Sequence, residues 1–155
     1  MSAARLALWL FVVVLGVAFG AGLYEHRIAM PRWITRADGV HHWDAASARR
    51  DDTGLRFWAY VSTGPLTILA LANLFFAWRA SAPARAWWLA AASLVVAERA
   101  FTFSYFIPTM IGLMNAADSP AAAATALRWA RFDYLRHLLV LGGWLAALKT
   151  LTIAG

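Results

Sequence analysis

Hydrophobic and polar positions divide the chain into four apolar runs, 6–24, 57–78, 86–107 and 134–154, separated by polar stretches of unequal length. Each run is close to the roughly 20 residues a helix needs to cross a hydrocarbon core, and none alternates as a membrane barrel strand does. Backbone polar groups in lipid must be satisfied within their own segment, so the runs are expected to be helices. The short link around Pro83 leaves the second and third runs room only for an antiparallel turn. The pattern therefore predicts an all-α fold: an integral-membrane, up-down four-helix bundle, with residues 1–155 as a single domain. The long connection 27–56 mixes acids, bases and tryptophans. It reads as a partly helical amphipathic loop lying on the bilayer surface and capping the bundle, helical from Asp44 to Arg49 and turning at Thr53-Gly54.

Composition narrows the class. With 62% hydrophobic and only 14% charged residues, and a mean hydropathy of +0.59, the chain is not an ordinary soluble domain. The formal net charge of +6 comes from arginines flanking apolar runs, which topology and anionic lipid explain without nucleic acid. Arg27, Arg32, Arg36, Arg49, Arg50, Arg56, Arg128, Arg131 and Arg136 fall on the side of the long loops, against Arg5, Arg79, Arg85 and Lys149 on the other. That imbalance places the long loops in the cytoplasm and both termini outside, as in a bacterial inner membrane. The first run leads straight into Glu25-His26-Arg27 without a small-residue cleavage site, so it is expected to remain as a helix. Absence of cysteine removes disulfides, thiolate nucleophiles, cysteine-ligated zinc and iron–sulfur clusters. His41 and His42 are adjacent, which is not a metal-ligand spacing, and no metal site is expected.

The candidate chemistry lies inside the third run. Glu98 and Arg99 interrupt an apolar helix roughly 18 Å from its start, where ionisable groups face a bundle interior or a wet cavity. Glu98, Thr102, Tyr105 and Thr109 share a stripe at helical spacing. Adjacent helical positions diverge by about 100°, so Glu98 and Arg99 are not expected to pair with each other. At the last run Asp133, Arg136 and His137 occupy one face and can meet His26 at the end of the first. Glu98, Arg99, Tyr105, His26 and Arg136 are thus expected to converge on one internal cavity. Gly16 with Gly20, Gly22, and Gly142-Gly143 suggest close helix approach, Pro65 a bend, and Asn73 a hydrogen bond between helices.

Several of these features together resemble the small four-span membrane proteins grouped with anthrone oxygenases, most of whose bacterial members have no assigned function. The likeness rests on the glycine-rich end of the first run with Tyr24-Glu25 and Pro31, on Trp58 with Pro65, on Glu98-Arg99 followed by Tyr105-Phe106-Ile107-Pro108-Thr109-Met110, and on Trp129, Arg131, Asp133 and Arg136. Asp133 stands where that pattern leads one to expect Asn. The resemblance implies a four-helix membrane bundle and, for characterised members, oxidation of a polycyclic anthrone to a quinone by O₂ without a recognised cofactor.

Independently of the likeness, such a reaction needs a base, an anion partner and an apolar pocket. Glu98, His26 and His137 are the candidate bases, and Arg99 or Arg136 the candidate anion clamp. Tyr24, Trp58, Thr102, Tyr105, Phe106, Trp129 and Asp133 are the candidate substrate-lining residues, Phe101 and Phe103 adding to an aromatic slot. The expected partners are bilayer lipid and a lipophilic small molecule, with homo-oligomers possible. Two other readings stay open: a haem or metal carrier with His26 and His137 as axial ligands, and a non-enzymatic bundle that binds a lipid or quinone or stabilises a partner membrane protein.

Overall fold

The computed structural model describes residues 2–153. It is mostly helical, and three of its helices are long and apolar enough to cross a membrane: Ala3–Trp33, Gly54–Arg79 and Ala84–Met114. The first comprises α1, Ala3–Tyr24, a π-helical turn Glu25–Ala29, and α2, Met30–Trp33. Ser2 caps its start, Oγ accepting the Arg5 N–H. The second opens with a long π-helical stretch, Gly54–Leu66, and continues as α4, Thr67–Arg79. Pro65 lies inside that stretch, where its missing N–H deprives the backbone of a donor. The third consists of α5, Ala84–Phe101, a π-helical turn Thr102–Phe106, and α6, Ile107–Met114.

The fourth expected span lies within α7, Pro120–Ile153, a helix of 34 residues. Among the described residues α7 does not join the three helices long and apolar enough to cross. Its first half is broken up by Arg128, Arg131, Asp133, Arg136 and His137. Residue 154, the last of the fourth run, lies outside the described residues.

The loop 27–56 departs from expectation. Ile34–Ala37 (β1) and Val40–Trp43 (β2) form an antiparallel hairpin, Ile34 facing Trp43 and Ala37 facing Val40. Its turn is Asp38-Gly39, both with positive φ (50° and 78°), the combination a two-residue hairpin turn requires. The expected helix is present as α3, Ala45–Asp51, capped by Asp44, which accepts from Ser47 N–H and Oγ. The turn comes at Asp52, in the left-handed region at φ 42°, and Thr53-Gly54 already begins the next helix. The unit is not a loose surface segment. Trp43 Nε1 donates to the Leu113 carbonyl at 2.7 Å, Arg49 bonds the Met114 carbonyl, and Trp33 and Trp43 are buried with Phe106, Leu113, Ala126 and Trp129.

A second apolar core fills the other end of the helices, with Phe11, Leu15, Leu66, Ala70, Ala91, Val95 and Ala147. Asn73 joins three helices there, donating to the Ala7 carbonyl at 3.1 Å and accepting from Trp88 Nε1 at 2.9 Å. This is the interhelical role expected of it. Gly16 lies against Trp144, and a Cβ there would come within 3.1 Å of the indole. Gly20, by contrast, has nothing within 4 Å of such a Cβ among the described residues and takes no part in close packing with them.

Two expected outcomes follow from the packing. A Cβ at Gly143 would stand 2.6 Å from Val95 Cγ2 and 3.3 Å from the Ala91 carbonyl oxygen, and a β-branched side chain in a helix has no other easy rotamer. Gly143→Ala should therefore cost about 1–3 kcal/mol and lower the melting temperature in detergent, while Gly20→Ala leaves it unchanged. Equal melting temperatures for the two variants would contradict this packing.

The second concerns the hairpin's anchor. Asp118 accepts the Trp43 backbone N–H at 2.9 Å and lies 2.8 Å from His42 Nδ1. The Trp43 N–H first, and His42 second, hold its carboxyl below the ordinary 3.8. A depressed value in the folded state means that the contribution to docking is complete above 3.8 and is lost as pH falls through the folded value. The Trp43 amide resonance should shift through an acid transition below that pH, and Asp118→Asn should remove the transition.

Candidate functional site

Between the two apolar cores each long helix presents polar residues at one level. The first brings Glu25 and His26, the second Trp58 and Ser62, the third Glu98, Arg99 and Thr102, and α7 Asp133, Arg136 and His137. On three of the four helices a π-helical segment contains or adjoins these residues. The wider turn re-aims side chains and is frequent at functional sites.

Glu98 and Arg99 pair with each other, contrary to the sequence-based expectation. Arg99 Nε donates to Glu98 Oε2 and Nη2 to Oε1, each at 2.6 Å. Although the two Cα–Cβ directions diverge, the long arginine chain curls back until its planar fork meets the carboxylate. Two further contacts fix the pair. Arg99 Nη1 donates to the Ser62 carbonyl at 3.1 Å, on the π-helical stretch around Pro65, and Thr102 Oγ1 donates to Glu98 Oε1 at 2.8 Å. Glu98 is fully buried and its charge is matched by the Arg99 guanidinium, so it is not a free base.

Asp133, also fully buried, gathers a second group. His26 Nδ1 is 3.1 Å from its Oδ2 and His137 Nδ1 3.3 Å from the same oxygen. Arg136 Nη2 lies 2.7 Å from Oδ1, an ion pair whose angles fall short of a hydrogen bond. His137 Nδ1 is also 2.7 Å from the Asp133 carbonyl oxygen. With only acceptors around it, that nitrogen carries the proton. The two imidazoles thus turn to one carboxylate oxygen rather than opposing each other as axial ligands, so the geometry favours a hydrogen-bonded trio.

His137 Nε2 is buried without a partner among the described residues. It faces Gly22, where a Cβ would come within 2.4 Å of it, so the glycine is the condition for the ring's position. Glu98, Arg99, Arg136 and His137 line a cavity of ≈20 Å³ with Gly22, Trp58 and Ser62. That volume holds about one water molecule. The expected convergence therefore holds for Glu98, Arg99 and Arg136, with His26 joined through Asp133. Tyr105 stays away from the cavity, stacked on Phe101 with ring centroids 5.5 Å apart. The π-helical turn Thr102–Phe106 advances less than 100° per residue, and the stripe loses its phase beyond Thr102.

The expected aromatic slot is closed. Phe106 and Trp129 are buried edge to face at 5.5 Å, and Trp129 Nε1 donates to the Phe106 carbonyl at 3.2 Å. Phe103 is among the exposed large side chains. Trp58 stands elsewhere, with Nε1 3.0 Å from both oxygens of Glu25. Thr53 Oγ1 also donates to Glu25.

Glu25 is what the sequence reading passed over. Of the buried carboxylates Glu25, Glu98 and Asp133, it is the one with no cation within 4.0 Å among the described residues. It forms part of a groove of ≈650 Å³ with Tyr24, Arg32, Arg50, Arg56, Phe57 and Trp58. This volume suits a small organic molecule. Tyr24, 65% exposed, stands at the groove's edge, and Trp58 borders groove and inner cavity alike. The signal available in the sequence was Tyr24-Glu25 at the end of an apolar run, with an acid that has no base one helical turn away.

No family model matches the chain, and neither a curated protein nor a solved structure matches it.

Asp133→Asn leaves Arg136 beside a neutral amide in a buried site, which should cost about 3 kcal/mol. Thermal unfolding in detergent measures it. The double variant Asp133→Asn/Arg136→Gln should recover part of the loss, whereas a single variant as stable as the parent would show that Asp133 does not hold this layer together.

Proposed function

We propose that the chain is a multi-pass membrane enzyme that oxidises a lipophilic anthrone, phenol or hydroquinone with O₂ and without a resident cofactor. In this reading its four long helical segments form an up-down bundle in a bacterial inner membrane, long loops cytoplasmic. Contacts between neighbouring helices support the bundle. Ala7 meets Asn73 while Glu25 meets Trp58, Asn73 meets Trp88 while Ser62 meets Arg99, and Gly16 meets Trp144 while Gly22 meets His137. In each pair residue numbers rise along one helix as they fall along the other. α7 crosses with the rest in this arrangement, Asp133, Arg136 and His137 turned to the bundle interior while Arg128, Arg131 and Lys149 stay exposed.

The observation that carries the reading is Glu25, a buried carboxylate held by neutral donors in a groove large enough for a substrate. Glu98 and Asp133 are neutralised by neighbouring cations. Glu25 therefore takes the role of general base, with Tyr24, Phe57 and Trp58 as the apolar wall. It removes a proton from the reactive carbon of an anthrone. The anion passes one electron to O₂, and the resulting radical and superoxide join through a new C–O bond, which a proton completes as a hydroperoxide. Loss of the second proton from that carbon with cleavage of the O–O bond gives the ketone and water, so that anthrone plus O₂ becomes anthraquinone plus H₂O. A hydroquinone would instead yield two electrons and two protons to O₂, giving a quinone and H₂O₂.

The rival reading, a non-enzymatic bundle that binds a quinone or lipid, draws on a different observation. The Glu98–Arg99 pair and the packed Phe106–Trp129 contact are satisfied internally, as helix-joining groups are.

Oxygen uptake by purified, metal-stripped protein with a panel of anthrones and hydroquinones distinguishes the two. Glu25→Gln should lower turnover about a hundredfold or more while the protein stays folded, and Arg36→Gln on the hairpin should leave it unchanged. Uptake that required added iron or copper would remove the cofactor-free reaction, and full activity in Glu25→Gln would remove the base.

A further inference from the structure

The groove contains more positive charge than its own acids neutralise. Its charged residues are Arg32, Arg50 and Arg56 against Glu25 and Asp51. Asp51 is already engaged, accepting from Trp33 Nε1 at 2.8 Å and from Arg32 Nη2 at 2.9 Å. Glu25 is buried beneath Thr53 and Trp58. Arg50 donates to Ser47 Oγ at 2.8 Å and has no carboxylate within 4.0 Å, and the Arg56 side chain has neither hydrogen bond nor ion pair among the described residues. Both arginines are exposed. Beside them lie Tyr24, Phe57 and Trp58, and the groove opens where the apolar parts of the first two long helices end. Two unpaired guanidinium groups above an aromatic wall at a membrane boundary complement an acid joined to an apolar body.

We propose that the groove binds an amphiphile by its anionic headgroup, Arg50 and Arg56 holding the acid and Tyr24 and Phe57 lining the apolar part. This names the class of molecule the groove accepts. It rests on the groove being the binding site and not on oxidation taking place there. Two sources supply that chemistry: the phosphate of an anionic phospholipid and an acid group on an aromatic substrate.

The test is titration of the full chain in a neutral detergent with four probes: dihexanoylphosphatidylglycerol, dihexanoylphosphatidylcholine, naphthalene-2-carboxylate and its neutral amide. At least one anionic probe should bind more tightly than its neutral counterpart, and the affinity should fall as salt is raised. Arg50→Gln/Arg56→Gln should weaken that probe about 30-fold, at roughly 1 kcal/mol for each arginine, while Arg36→Gln leaves it unchanged. Preference for the phosphatidylglycerol alone identifies a lipid site, and preference for the carboxylate identifies an acidic aromatic ligand. Equal binding of charged and neutral probes, or unchanged affinity in the double variant, overturns the proposal. Oxygen uptake that fails while the anion preference persists removes the oxidation and leaves the groove's ligand class in place.

Discussion

Charge buried between two apolar cores is the constraint on which the rest of this structure depends. An ion taken out of water costs several kcal/mol unless it is paired and hydrogen-bonded, and five ionisable groups here, Glu25, Glu98, Arg99, Asp133 and Arg136, lie buried or nearly so at one level. Their partners come from different helices: Ser62 serves Arg99, and His26 serves Asp133. A one-turn slip of any long helix would carry its members about 5.4 Å away and leave ions unmatched. The polar layer thereby fixes the register of all the long helices, a task that apolar contacts in lipid perform poorly.

Backbone irregularity and charge are complementary at this level. The π-helical segments widen three helices where side chains must converge, and Pro65 lies in the stretch whose Ser62 carbonyl serves Arg99. Glycine does the same work by absence of a side chain, since only a bare Cα at residue 22 admits the His137 ring. Glu25 and Glu98 show how far local donors separate two similar groups. Glu98 answers to a guanidinium and has its charge cancelled in place, while Glu25 answers to a hydroxyl and an indole, which orient a carboxylate without neutralising it.

Much of the scaffold was legible in the chain. Apolar runs announced the long helices, Asp44 to Arg49 announced α3, and Gly142-Gly143 a close helix approach. The hairpin was not anticipated, although Asp38-Gly39 between Ile34–Ala37 and Val40–Trp43 is the dipeptide that such turns favour; its mixed charge and tryptophans made it look like part of an amphipathic surface loop. Glu98 and Arg99 were judged from backbone directions alone, which says little about an arginine whose charged end lies several bonds from its Cα. Tyr105 was assigned by extending an α-helical period through residues that do not keep it. Glu25 was overlooked because Glu98-Arg99 drew attention to the third run, and its burial against Thr53 and Trp58 exists only in three dimensions.

The hairpin and α3 also impose an order on the making of this protein. Residues 34–51 leave the ribosome before the second long helix, yet part of the surface that covers Trp33 and Trp43 comes from Leu113, Ala126 and Trp129, roughly 60 to 95 residues later in a chain made from its N-terminus. Until the third helix and α7 have followed, the two tryptophans have only nearby residues such as Met30 and Ala48 to cover them. The cap is thus made well before the segments that complete it, and its closure on Leu113 and Asp118 waits for the end of the third long helix.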